Sequence, residues 1–66
     1  MASSLHELQS QMQKVNQLLE TIARDWETSA YDRKYEELYT LSQEASKVAF
    51  YAACLHGALK RQELEA

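Results

Sequence analysis

The stretch 5–26, LHELQSQMQKVNQLLETIARDW, places Leu5, Leu8, Met12, Val15, Leu19, Ile22 and Trp26 at steps of 3, 4, 3, 4, 3 and 4. Such steps gather the side chains into one stripe of an α-helix and fit no strand period. The stripe is a heptad seam, widened on its flanks by Leu18 and Ala23. Ser4 followed by Glu7 has the spacing of a capping box, in which hydroxyl and carboxylate each satisfy a free amide of the first turn. Helix 1 is therefore expected over about residues 4–27.

Outward from this stretch, Glu27-Thr28-Ser29-Ala30 supplies short polar side chains that compete for backbone hydrogen bonds, which predicts a turn at about 28–30. Ser29 with Asp32 reads as a second N-cap, and Asp32, Glu36 and Glu37 suit the positive end of a following helix dipole. A second seam then runs through Leu38, Leu41, Ala45, Val48, Ala52, Leu55 and Leu59, again at steps of 3 and 4. There is no proline and the only glycine is Gly57, which either ends helix 2 or continues the small-residue row Ala45, Ala49, Ala53. Continuation is favoured, and helix 2 is expected over about 31–62.

Two helices of matching period joined by a short turn form an antiparallel pair, because only a reversal lays one seam on the other. The expected fold is an all-α, antiparallel two-helix hairpin forming one domain. With a tight turn, facing residue numbers sum to roughly 57. This sets Ile22 near Tyr35, Leu19 near Leu38, Met12 near Ala45 and Leu8 near Ala49, large residues against small ones. Helix 2, at 1.5 Å per residue, runs about 13 Å beyond helix 1.

The block Val48 to Leu59, VAFYAACLHGAL, is apolar at ten of twelve positions. A helix packed on one neighbour needs a stripe only about 100° wide, so this block asks for cover on more than one side. A 66-residue chain is also at the size where one core is marginal. Single Cys54 forms no internal disulfide, and with His6 and His56 it does not complete a four-ligand zinc site of the usual kind. Association, with a partner chain or a second copy, is the remaining stabiliser. The residues expected to contact it are Tyr39, Phe50, Tyr51, Cys54, Leu55, Ala58 and Leu59.

Other functions find little footing. Cys54 and His56, two apart on a helix, point to different faces, and no Gly-rich loop, His-Glu motif or Ser elbow is present, so no catalytic residue and no cofactor is expected. The net charge is −3, and the basic pairs Arg33-Lys34 and Lys60-Arg61 are flanked by acids, unlike a phosphate-binding surface. The tyrosines at 31, 35, 39 and 51 read as amphipathic packing residues rather than base-stacking platforms. The polar start MASSLHELQ shows no signal peptide, and the apolar block is too short to span a bilayer, so a cytoplasmic protein is expected.

The unequal hairpin, with Ala30-Tyr31-Asp32-Arg33-Lys34-Tyr35 leading into a helix bearing Leu41, Ala45, Val48 and Leu55, resembles the small co-chaperones of type III secretion needles, the YscE and PscE kind. The likeness covers most of the chain and lies in layout more than in motif. It implies a hairpin that binds a TPR-like chaperone, the pair holding the needle subunit unpolymerised in the cytosol. Two other classes share the pattern. A homodimeric four-helix bundle resembling the small plasmid-encoded Rop regulators would bind RNA, although Lys14 and Arg24 make no basic stripe on helix 1. A coiled-coil adaptor subunit would show the same seams.

Overall fold

Helix α1 spans Ala2–Arg24 and α2 spans Tyr31–Glu65 in the computed structural model, which describes the backbone of residues 2–65 and the side chains of residues 5–62. The helices lie side by side as an antiparallel hairpin, with no strand among the described residues. The fold is the expected all-α hairpin. Its outline is a rod of 55 × 16 × 13 Å, with a radius of gyration of 15.9 Å. A compact domain of this length would have a radius of gyration of about 11 Å.

The element ends differ from the sequence reading in instructive ways. Helix α1 already runs from Ala2, ahead of the expected capping box, and the Ser4 side chain lies outside the described residues. At its other end α1 stops at Arg24 rather than at about residue 27. Asp25 N–H still reaches the Thr21 carbonyl at 3.3 Å, but Trp26 N–H turns to the Ala23 carbonyl at 3.5 Å, a tighter i to i−3 bond. The Asp25 carbonyl then accepts from Thr28 N–H (3.2 Å), Ser29 N–H (2.8 Å) and Thr28 Oγ1 (3.3 Å). This convergence closes the reversal without glycine or any positive φ. Trp26 consequently leaves the helix and sits in the turn, its ring 4.7 Å beneath Lys34 Nζ.

Helix α2 is capped one residue later than expected. Lys34 N–H donates to the Ala30 carbonyl at 3.1 Å, which makes Ala30, not Ser29, the N-cap. The Ser29 hydroxyl is buried in the turn with no hydrogen-bond partner. Helix α2 continues through Gly57 to Glu65, beyond the expected end near residue 62.

The register matches the expectation. Gln11 Nε2 donates to the Glu44 carbonyl at 2.9 Å and Lys14 Nζ lies 2.9 Å from Glu44 Oε1, numbers that bracket the roughly 57 sum of a tight hairpin. The rotation of each helix does not match. The residues turned towards the partner helix and at least partly covered are Leu8, Gln11, Val15, Leu18 and Ile22 on α1, Asp25 just after it, and Lys34, Glu37, Leu41, Glu44, Val48, Tyr51, Leu55 and Ala58 on α2. Only Leu8, Val15, Ile22, Leu41, Val48 and Leu55 belong to the seams read from the sequence. At 100° per residue, the full apolar stripes are turned roughly 50–60° away from the helix-to-helix direction.

The physical reason lies in what fills the space between the helices. Glu44, 9% exposed, sits on the inner line between Leu41 and Val48 and is held from both helices. Near the turn, Arg33 reaches Glu37 at 2.7 Å and Asp25 at 3.4 Å. These polar groups take positions that a purely apolar seam would have claimed. Ile22, 5% exposed, is the one buried apolar residue among those described.

Candidate protein-binding face

Two grooves run along opposite sides of the inter-helix line, and Ile22 is the floor of both. One is lined by Leu18, Thr21, Glu36, Glu37 and Thr40, mixed in residue type but with a wall made mostly of apolar carbon. The other, of about 420 Å³, is lined by Leu19, Ala23, Trp26 and Leu38. The difference in residue type, two acids on one side and none on the other, follows from the rotation of the stripes. In antiparallel helices, turns of the same sense about each axis carry both stripes to the same side of the pair. Leu5, Met12, Leu19 and Trp26 from the α1 side therefore share one face with Leu38, Ala45, Ala52 and Leu59 from α2.

That face is open. Leu5 is 49% exposed, Met12 46%, Leu19 52%, Trp26 43%, Leu38 44% and Leu59 53%. Single exposed leucines are ordinary on a protein surface, but a contiguous apolar row is a mark of an interaction surface. Among the described residues only Ile22 is a buried apolar residue, and most of the apolar side chains lie on the outside of the hairpin.

The seven contact residues read from the sequence fall on three lines. Leu59 closes the α2 row of the apolar face at seven-residue spacing from Ala52. Tyr51, Leu55 and Ala58 are half-buried on the line towards α1. Tyr39, Phe50 and Cys54 are exposed along the flank of α2 turned away from the apolar groove, Phe50 at 65%. Phe50 and Tyr51 touch edge to face, with centroids 5.9 Å apart and planes at 64°. The structure thus does not gather the seven into a single patch.

Sequence reasoning passed over the inter-helix cluster around Glu44. Its carboxylate accepts Gln11 Nε2 at 2.9 Å and pairs with Lys14 Nζ at 2.9 Å and Lys47 Nζ at 3.0 Å. Hydrogen bonds from Lys14, Lys47 and Gln11, in that order, hold the Glu44 carboxyl down from its ordinary 4.5 to about 2. The signal was present, because Glu44 lies midway on the Leu41 to Val48 line and faces Gln11 and Lys14 in the register already read. Lys14, Lys47 and Arg33 are all spent on acids within the hairpin.

Among the described residues, no three of His, Cys, Asp and Glu come together as a metal-binding group, and no helix is long and apolar enough to cross a membrane. Comparison with protein-family models, curated proteins and solved structures finds no match to this chain.

Proposed function

We propose that this chain is a non-catalytic interaction module of the type III secretion co-chaperone kind, stabilising a TPR-like chaperone that keeps a needle subunit unpolymerised in the cytosol. The observation that supports an interaction role is the imbalance of the hairpin: among the described residues Ile22 alone is a buried apolar residue, while Phe50, Leu59 and eight other large hydrophobic side chains are exposed. The needle-specific part rests on the resemblance in layout. Chemistry supports the task as well. An export subunit that polymerises through an amphipathic helix needs that helix covered, and a solenoid groove that covers it has apolar surface of its own to stabilise. A small hairpin with unused apolar sides fits that need.

The partner is expected on the second half of α2, where Phe50, Cys54, Leu55 and Leu59 approach and pass the end of α1. Co-expression with the proteins encoded beside it should yield a stable complex with a chain of TPR-like repeats that is insoluble alone. Phe50→Glu and Leu55→Glu should each abolish that complex while the purified variant stays helical by circular dichroism. Full retention of binding by both variants, or a neighbour set with no such chain, would sink the reading.

A further inference from the structure

We propose that the apolar face of Leu5, Met12, Leu19, Trp26 and Leu38 is the seat of a second copy of this chain, giving a two-fold symmetric four-helix bundle when no other partner is present. Three observations point to this occupant. The first is area. The chain exposes 5408 Å², whereas a compact protein of 7.6 kDa exposes about 4300 Å². The surplus of about 1100 Å² per copy corresponds to about 2200 Å² for a pair, which falls in the class of obligate homodimers.

The second observation is direction. In a square array of four helices, the bundle axis lies about 45° from the line joining neighbours. The apolar stripes of α1 and α2 both point roughly 50–60° off that line, and to the same side, so they aim at such an axis rather than at each other. The opposite side carries Thr21, Glu36, Glu37 and Thr40 around Leu18, whereas Leu19, Ala23, Trp26 and Leu38 bring no charged group to the proposed interface.

The third observation selects a copy of the same chain. Met12 on the α1 row is large, and Ala45, which lies at its height on the α2 row, is small. A two-fold axis parallel to the helices sets α1 of one copy on α2 of its partner, running antiparallel at unchanged height. Met12 then meets Ala45 of the partner subunit, the large-on-small packing of a dense core.

The purified chain alone supplies the test, independently of the co-chaperone reading. Light scattering should give twice 7.6 kDa, and emission from Trp26, the single tryptophan, should move to shorter wavelength as concentration rises from nanomolar to tens of micromolar. Leu19→Glu and Leu38→Glu should weaken pairing at least 100-fold, while Ser10→Glu on the outer side of α1 leaves it unchanged. A second measurement does not rely on charged variants folding. In a Cys54→Ser background, mixed Met12→Cys and Ala45→Cys chains should cross-link far faster than Met12→Cys with Ser10→Cys. A helical monomer at 100 micromolar, or equal cross-linking in the two mixtures, overturns the proposal.

Discussion

Glu44 shows how one side chain shapes this hairpin. Its carboxylate is nearly out of water yet ionised, because two ammonium groups and an amide replace the solvent it lost. A carboxyl whose folded value is depressed contributes stability that is complete above its unfolded value and disappears as pH falls through the folded one. The window therefore runs from about pH 4.5 down to about 2. Urea midpoints followed by circular dichroism should decline across this window for the native chain, and the decline should be shallower in Glu44→Gln; parallel profiles would refute the assignment. Ser29 offers a test of opposite sign. If it capped α2, removing its hydroxyl would cost about 1 kcal/mol. Buried without a partner, it should instead be neutral or gain up to about 1 kcal/mol as Ser29→Ala, read from the same midpoints.

At the scale of the element, α2 carries an avoidable weakness at Gly57. The helix passes straight through it, its φ is not positive, and an added Cβ would meet nothing within 4 Å. Gly57→Ala should therefore stabilise α2 by about 0.5–1 kcal/mol, measured as a higher urea midpoint with more helical ellipticity. A lower midpoint would mean that a neighbouring helix uses the missing side chain. The helices themselves were legible because the seven-residue spacing of Leu8, Val15 and Ile22, and of Leu41, Val48 and Leu55, within seams stepped by 3 and 4, defines both their period and their register. Their rotation was not. A heptad stripe says how wide the apolar band is, whereas which edge of it meets which neighbour depends on how many neighbours there are. Leu19 and Leu38 looked like an intrachain pair and instead line one open groove, since Gln11 and Glu44 occupy the inner line. The turn was misplaced for a related reason: the Asp25 carbonyl gathers three donors through the backbone, which residue type alone does not announce.

At the scale of the whole molecule, the two helices differ by twelve residues, 23 in α1 against 35 in α2, so the far end of the 55 Å rod is α2 alone. Facing numbers near 57 place the last covered residue of α2 close to Leu55. The segment from Ala58 onward thus adds little to the hairpin's own packing, and its helical state rests on continuity with the turns before it. Deleting residues 58–66 should shorten the long dimension in X-ray scattering from 55 Å to about 40 Å, the length of the 27 helical residues left. The loss in unfolding free energy should stay below about 1 kcal/mol, as for a fraying helix end. Self-pairing through Met12, Leu19, Trp26 and Leu38 should survive, because those residues lie along the covered part of the rod. Complex formation with a TPR-like partner should be weakened, because Leu59 and the free end of α2 are gone. A truncated chain that binds the partner normally but no longer pairs with itself would reverse the assignment of the two surfaces.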